Sequence, residues 1–286
     1  MSRPVIRAHR AGPVGYAVLI VVSAILFAPF LFVCSIALSS QQTVATGRFS
    51  VIPTEFVWTN FVDVFRTEFP VGRFLLNSVV IAVLSTVGQV FSSALVGFAF
   101  ARMRAPGKKI IFFVVLATMM LPAQITMIPQ FILFRELGWV NTMLPLIVPN
   151  FFGGAYNIFL IRQFVSRLPT DLDDAAMVDG LGFFGIFGRI VLPLMAPVLV
   201  AISIFTITWA WGDFMGPLIY IDDESLMPLA LGVQYLASTG SDLQAPPWNT
   251  VMVGSLMLVL PMIVLYYLGQ RYIYEMNIIG GSAGLR

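Results

Sequence analysis

Residues 74–101 read FLLNSVVIAVLSTVGQVFSSALVGFAFA and contain no Asp, Glu, Lys or Arg. About 20 apolar residues in a helix are enough to cross the hydrocarbon core of a bilayer. Backbone groups find no water there, so an uncharged run of this length must satisfy its own hydrogen bonds as a helix. We therefore predict that this stretch is a membrane-spanning helix.

The remainder of the chain has the same character. Of its 286 residues, 58% are hydrophobic and only 10% are charged, which lies far outside the composition of a soluble domain. Six long runs carry no charged residue, namely 15–39, 74–101, 110–134, 137–161, 190–212 and 243–270. We predict an all-α integral membrane protein with six transmembrane helices, forming one domain over residues 1–286.

The first of these runs also has to be weighed as a signal peptide, because Arg3, Arg7 and Arg10 precede it. The run is too long for the apolar region of such a peptide, and its end, CSIALSSQQ, lacks a clear small-residue cleavage pattern. We expect a retained helix. Cys34 lies within it and is the only cysteine, so its thiol is interpreted as ordinary helix packing.

The basic residues are distributed unevenly between the two sides of this topology. Twelve of the sixteen lie in the N-terminus, in segments 102–109 and 162–189, and in the C-terminal tail. Since cytoplasmic loops are enriched in Lys and Arg, both termini and the 162–189 segment are predicted to be cytoplasmic. No basic patch with interleaved aromatic residues points to nucleic acid as a partner.

One cytoplasmic segment, DLDDAAMVDGLGFFGIFGRIVLP at residues 171–193, stands out by its carboxylates. Thr170 follows a proline and is placed as an N-cap, with Asp173 at the capping-box position. Three aspartates fall in the first turn, where the helix macrodipole favours negative charge. Gly180 is suited to end the helix. We predict a short helix that lies across the cytoplasmic end of the bundle.

The residues of this helix allow two interpretations. Ala175 and Ala176 give a smooth face that lets another surface come close, and Asp174 offers a carboxylate to an Arg or Lys on that surface. A solvated amphipathic loop helix would show a similar composition. Physical reasoning from the residues leaves both open.

A resemblance to a known family favours the docking interpretation. Asp174-Ala175-Ala176, three residues, Gly180, nine residues, Ile190, one residue and then Leu-Pro resembles the EAA motif of ABC importer permeases, with Asp174 in place of the usual Glu. The segments FLLNSVVIAVLSTVGQVFSSALVGFAFARMRAPGKK, WAWGDFMGPLIY, MPLALGVQYL and QRYIYEMNIIGGSAG resemble, in order, parts of the MalG-type permeases of carbohydrate importers.

The resemblance implies a type I importer permease fold, in which a coupling helix at about residues 168–190 sits in a groove of a separate ATPase. By position, the coupling residues would be Asp171, Asp173, Asp174, Ala175, Ala176, Asp179 and Gly180. Asp174 would pair with an arginine of the ATPase directly or through water, or the pair would shift to Asp171 or Asp173, because Asp is one methylene shorter than Glu. The tail from Tyr272 to Arg286 would also lie near the ATPase.

The family further implies function and partners. The chain would form a translocation pathway with a second, homologous permease and carry a sugar, an oligosaccharide or a sugar-like polyol phosphate. An ATPase dimer would supply energy, an extracytoplasmic solute-binding protein would deliver the solute, and lipid would surround the bundle in a bacterial or archaeal cell membrane. The chain itself would be a transporter subunit rather than an enzyme and would bind no cofactor, since ATP and magnesium belong to the partner.

The motifs of other functions are weak. No phosphate-binding GxxxxGK[ST] loop occurs. Gly280, Ser282 and Gly284 form a GxSxG match, but it lies at the very end of the chain and His9 is the only histidine, which argues against hydrolase chemistry. One His, one Cys and no facing pair of intramembrane carboxylates also argue against a metal site.

Candidate pathway residues are few. Asp213, in WAWGDFMGPL, lies at the edge of an apolar run and either lines the pathway or ends a helix in interfacial water. Trp209 and Trp211 either stack on a sugar or anchor the helix at the interface. Asn77 and Gln124 complete the candidates. The alternative function is a gradient-driven secondary carrier, for which Asp213 is the only candidate ion ligand and the docking helix has no purpose.

Overall fold

The computed structural model describes residues 12–47, 50, 52–66, 69–239 and 246–281, with the side chains of the last helix described as far as residue 272. Every regular element within those ranges is helical, which confirms the predicted all-α class. The chain divides into two compact units, one formed by residues up to 69 together with 236–256, the other by residues 70–235 together with the remainder. Of the C-terminal match to GxSxG, Ser282 and Gly284 lie outside the described residues, as do Arg3, Arg7, His9 and Arg10.

The first unit is built on a long apolar helix. Helix α1 comprises Pro13–Ala37, and two short helices follow, α2 at Gln41–Ala45 and α3 at Asn60–Asp63. The Asn60 amide donates to the carbonyl oxygens of Ala37 and Ser39, 2.9 Å away in each case. These carbonyls lie at the end of α1, where no intrahelical donor remains, so Asn60 satisfies acceptors that the helix leaves open.

Most of the remaining helices belong to the second unit. In chain order they are α4 at Val71–Arg102, α5 at Lys108–Thr118, α6 at Ala123–Glu136, α7 at Leu144–Ile147, α8 at Ala155–Val165, α9 at Asp171–Val178, α10 at Phe183–Ile186, α11 at Leu192–Leu194, α12 at Ala196–Gly212 and α13 at Met215–Tyr220. Helices α14, Leu229–Ser238, and α15, Trp248–Gly281, complete the chain. A π-helical turn, Phe187–Val191, joins α10 to α11.

The predicted spans correspond to these helices, although two of them are not straight. Four stretches are long and apolar enough to cross a membrane: Pro13–Ala37, Val71–Arg102, Leu144–Val165 and Trp248–Tyr272. Two bent helix pairs, α5 with α6 at 98° and the 183–194 segment with α12 at 77°, bring the number to the predicted six if each pair forms one span. Pro122 lies at the first bend, as the N-cap of α6, where its ring and its missing N–H oppose a continuous helix.

Helix α4 is the centre of the second unit and packs against both α8 and α12. At Gly97 the helices approach so closely that a Cβ atom would come within 2.6 Å of Ile161 Cγ2 on α8. Small residues permit such contacts between membrane helices, where dispersion forces between closely fitting surfaces drive association. A buried cluster that includes Phe98, Val165 and Ile202 fills the space between α4, α8 and α12.

The fourth span is interrupted in its middle by a 3₁₀ turn at Val148–Phe152. Pro149 lies in this turn and has no backbone N–H to donate. Polar side chains of α4 bond to the interrupted backbone, since Ser93 Oγ accepts from the Gly154 N–H at 3.2 Å and Ser85 Oγ donates to the Leu146 carbonyl at 3.1 Å. A broken helix is tolerated at membrane depth where protein groups replace the lost hydrogen bonds in this way.

Candidate functional site

Helix α9, the predicted docking helix, begins after Thr170 as expected. The Thr170 carbonyl oxygen accepts from the backbone N–H groups of Asp173, at 2.9 Å, and Asp174, at 3.1 Å. Asp171, Asp173 and Asp174 occupy the first turn, where they face the positive end of the helix dipole. The Thr170 side chain makes no capping hydrogen bond, so the predicted capping box is wrong in its side-chain part.

The start of α9 is held instead by Arg102, the last residue of α4. Arg102 Nη2 donates to the carbonyl oxygens of Leu168, at 2.9 Å, and Pro169, at 3.4 Å. Its Nε lies 2.6 Å from Asp173 Oδ2, and the two side chains are only 11% and 13% exposed. We call this group of four residues the Arg102 clamp.

The ion pair in the Arg102 clamp is close but not an ideal hydrogen bond. Within the described structure, neither Arg102 Nε nor Asp173 Oδ1 has a hydrogen-bond partner of good geometry. The attraction is therefore mainly between the two opposite charges, and partial burial reduces its screening by water. Asp173 is the aspartate of α9 that is already paired within its own chain.

The end of α9 has the geometry of a Schellman motif. The Leu181 N–H donates to the Ala176 carbonyl at 2.9 Å, and the Gly180 N–H donates to the Met177 carbonyl at 3.0 Å. Gly180 has φ of 82°, a left-handed conformation that costs a residue with a Cβ energy. Gly180 therefore ends the helix, in agreement with the sequence analysis.

One face of α9 is buried in its own chain. Ala176 is 3% exposed and belongs to the buried cluster between α4, α8 and α12. The segment that follows α9 is tied to the same cluster, because the rings of Phe183 and Phe187 lie 4.7 and 5.2 Å from the ring of Phe98 on α4. Helix α9 is thus attached to α4 at both of its ends.

The opposite face of α9 is exposed. Of the seven coupling candidates, the structure turns Asp173 and Ala176 inwards and leaves five at the surface: Asp171, Asp174, Ala175, Asp179 and Gly180. The large apolar side chains of Val178, Met177 and Phe184 are 88%, 55% and 73% exposed beside these carboxylates. Apolar side chains grouped with charges on a rigid helix are typical of a surface that another protein covers.

A second candidate site is a cavity of about 610 Å³ in the same unit, which we call the Asp213 cavity. Its lining is mostly apolar with a few polar side chains and comes mainly from α6, α12 and α13 and the turns beside them. It contains three of the five predicted pathway residues, Gln124, Trp209 and Asp213. Trp209 is 78% exposed. The volume lies within the range of small-molecule sites.

Asp213 ends α12 and also holds the helix that follows. Its backbone leaves the helical conformation, with ψ of 120°, and its Oδ1 accepts from the Gly216 N–H in the first turn of α13 at 3.1 Å. Asp213 is therefore a helix-end residue that lines the cavity. Its place in a transport pathway stays a prediction.

The other two pathway candidates lie outside the cavity lining and bond within the chain. The Trp211 indole N–H donates to the Leu258 carbonyl at 3.0 Å, and Trp211 is 7% exposed. The Asn77 amide donates to the carbonyls of Ser225, at 2.9 Å, and Met227, at 3.0 Å. Both side chains satisfy the backbone of neighbouring segments.

Sequence reasoning did not select four polar residues that line the cavity, Gln130, Asn150, Thr206 and Tyr220. A signal existed for two of them, since Gln130 and Asn150 are amides close to prolines within uncharged runs. Thr206 and Tyr220 gave no such signal, because hydroxyl groups are common on any membrane helix.

Comparison with known proteins adds to this geometry. Residues 93–275, which include α9 and most of the cavity lining, match the family described as binding-protein-dependent transport system inner membrane component. A probable ABC transporter permease protein of Pyrococcus horikoshii is 32% identical over 262 residues, covering 89% of this chain and 91% of the relative.

Two further similarities concern proteins with a stated cargo. The arabinooligosaccharides transport system permease protein AraQ of Halalkalibacterium halodurans is 31% identical, with 81% of each chain covered. The crystal structure of a bacterial ABC transporter involved in the import of the acidic polysaccharide alginate superposes with a TM-score of 0.76 at 21% identity, covering 91% of this chain and 95% of that one.

Proposed function

Since this chain belongs to the family of binding-protein-dependent transport system inner membrane components, we propose that it is the permease subunit through which an ABC importer moves a carbohydrate into the cell. The chain is a multi-pass inner-membrane component, and its relatives are ABC transporter permeases. The observation that carries the proposal is the exposed acidic face of α9 on a helix whose two ends are fixed to α4.

In this proposal α9 is the coupling helix that docks on an ATPase subunit. Asp174 is exposed and has Ala175 beside it, so a cation of the partner can reach the carboxylate without a steric barrier. Asp171 and Asp179 extend the negative surface along the same helix, and Gly180 ends it. Asp173 serves the docking indirectly, because its pairing with Arg102 fixes the direction of α9.

Movement of α9 would reach the transport pathway through the second unit itself. The Arg102 clamp joins α9 to α4, and Ala176 packs in the cluster that also contains residues of α12. Helix α12 ends beside Asp213, at the Asp213 cavity. When the two ATPase subunits close on ATP, they would draw the coupling helices together, and α4 and α12 would carry that displacement to the cavity.

The assembly requires partners on both sides of the membrane. A second, homologous permease would complete the pathway, two ATPase subunits would hold ATP and magnesium, and a solute-binding protein would deliver the carbohydrate from outside. We place both termini and α9 in the cytoplasm, because the basic residues concentrate there. The tail from Tyr272 to Arg286 would approach the ATPase, and of it the structure describes the helix as far as Gly281.

The proposed carbohydrate path includes the cavity with Gln124, Trp209 and Asp213. The solute-loaded binding protein and ATP must both favour the same outward-facing state, since a ligand shifts a population only by differential affinity. We propose that the whole chain, residues 1–286, acts as a single permease domain.

The test is a charge reversal on the exposed face of α9. The complex containing Asp174→Lys should lose most of its ATPase subunit during purification and at least ten-fold in uptake, because a lysine would repel the partner's cation. Membrane insertion, measured by the yield of folded chain, should not change. The matched control is Asp222→Lys, which reverses another exposed carboxylate, in the loop after α13.

Two results would contradict the proposal. Full retention of the ATPase and full uptake in Asp174→Lys would remove the docking role from Asp174. Purification of the wild-type chain without an ATPase, with uptake driven by an ion gradient and independent of ATP, would support the gradient-driven carrier instead.

A further inference from the structure

The similarities to known proteins leave the charge of the transported carbohydrate undecided. One similar protein is named for arabinooligosaccharides, which are neutral, and one similar structure is of a transporter for alginate, which is acidic. The same fold therefore accompanies both kinds of cargo, and the charge has to be inferred from the site of this chain.

The charge that lines the Asp213 cavity is negative. Among its lining residues, all of which lie in the described part of the chain, Asp213 is the ionisable acid and none is Lys, Arg or His. Binding sites for carboxylates and phosphates in proteins characteristically present Arg, Lys or a row of backbone N–H groups. The Gly216 N–H beside the cavity is already engaged by Asp213 Oδ1.

The remaining lining suits a neutral sugar. Trp209 offers a largely exposed ring, and an aromatic face packs well against the apolar C–H face of a sugar ring. The amides of Gln124 and Gln130 can both donate to and accept from hydroxyl groups, whereas the Asn150 amide already donates to the Leu146 carbonyl at 2.9 Å. A carboxylate has capacity for about four hydrogen bonds, so Asp213 can accept from sugar hydroxyls while it keeps its bond to Gly216.

We propose that this cavity recognises an uncharged carbohydrate and that Asp213 is the residue that rejects uronates and sugar phosphates. The inference rests on the proposed transport function and makes it more specific. Two carboxylates about 6 Å apart at an effective dielectric constant of about 20 repel each other enough to weaken binding roughly 100-fold. Asp213 thus attracts hydroxyl donors and excludes anions with the same charge.

The experiment uses the complete membrane complex, purified with its second permease and ATPase but without the solute-binding protein, which makes its own selection. Equilibrium binding of radiolabelled arabinotriose and trigalacturonate is measured on this complex. We expect the wild type to bind arabinotriose at least ten-fold more tightly. In Asp213→Asn the amide oxygen can still accept from Gly216, so α13 keeps its hydrogen bond while the charge is removed.

The Asp213→Asn complex should bind arabinotriose several-fold more weakly and trigalacturonate at least ten-fold more tightly than the wild type. A purely structural role for Asp213 would change both affinities in the same direction. The control Asp222→Asn removes an exposed carboxylate outside the cavity lining and should leave the ratio of the two affinities unchanged.

Three results would overturn the inference: equal or tighter binding of trigalacturonate by the wild type, binding of neither trisaccharide, or an unchanged ratio in Asp213→Asn. The same preparation also shows whether the charge selection or the proposed transport function is wrong. If the ATPase co-purifies and hydrolyses ATP while binding is unselective, only the charge selection is wrong. If no ATPase co-purifies, the importer proposal itself fails.

Discussion

Asp173 in α9 and Asp213 after α12 are both partly buried carboxylates at helix ends, yet their surroundings differ. Asp173 lies 2.6 Å from the Arg102 guanidinium, whereas Asp213 lies in a cavity whose described lining contains no basic side chain. The first carboxylate has its counter-charge within the chain. The second is bonded instead to the backbone of α13, through the Gly216 N–H.

The difference distinguishes a carboxylate that stabilises the fold from one that is available to bind a partner or a ligand. Removing a carboxylate from water is costly, and a cation from the same chain offsets that cost in a fixed geometry. A carboxylate without such a cation keeps its capacity for a partner or a ligand. Asp174, one residue after Asp173 and exposed, belongs with Asp213 in this respect.

The largest effect on α9 is expected from Arg102→Gln, which leaves Asp173, like Asp213, without a cation from its own chain. Because the pair is only partly buried, its loss should cost less than the roughly 3–5 kcal/mol of a fully buried pair. The bonds to the Leu168 and Pro169 carbonyls are lost or weakened as well. That cost should appear as local opening of α9, measured by hydrogen exchange of its backbone amides. ATP hydrolysis by the complex should then continue with little uptake.

The control for this prediction is Arg104→Gln, which removes an exposed arginine two residues away. The double variant Arg102→Gln with Asp173→Asn should recover part of the protection of α9, because it removes both charges of the pair. If α9 remained as protected in Arg102→Gln as in the wild type, the Arg102 clamp would not hold the helix.

The sequence predicted much of this arrangement, and the limits of the prediction have physical causes. Six uncharged runs defined the spans, because composition alone decides whether a segment is stable in lipid. Contacts between residues that are distant in the sequence cannot be recognised from composition. Nothing in the sequence indicated that Arg102 would contact Asp173, so all aspartates of α9 looked equally available for docking.

Burial was also hidden within α9. Ala175 and Ala176 are identical residues in adjacent positions, and only the packing of the helix against the buried cluster decides that Ala176 is covered and Ala175 is not. The same holds for Trp209 and Trp211, of which one lines the cavity and the other bonds to Leu258. A residue type predicts a chemical capacity, and the fold decides where that capacity is directed.

A smaller effect is expected from Gly180→Ala, which tests whether the second end of α9 is fixed by backbone geometry. No atom lies within 4 Å of the added Cβ, so the cost comes from the left-handed conformation alone, about 1–2 kcal/mol. Protection of the amides near 177–181 should fall, while those at the Arg102 clamp keep theirs. Equal loss along the whole of α9 would mean that its two ends are not held independently.

The smallest effect is expected from Thr170→Ala. This substitution would be costly only if the Thr170 side chain capped α9. A capping side chain usually contributes about 1 kcal/mol, but the Thr170 side chain makes no such bond and its role is confined to the backbone carbonyl. The thermal stability of the complex and the exchange of the first turn of α9 should therefore match the wild type. A loss comparable to that of a true N-cap would show that Thr170, rather than the Arg102 clamp alone, holds this end of the helix.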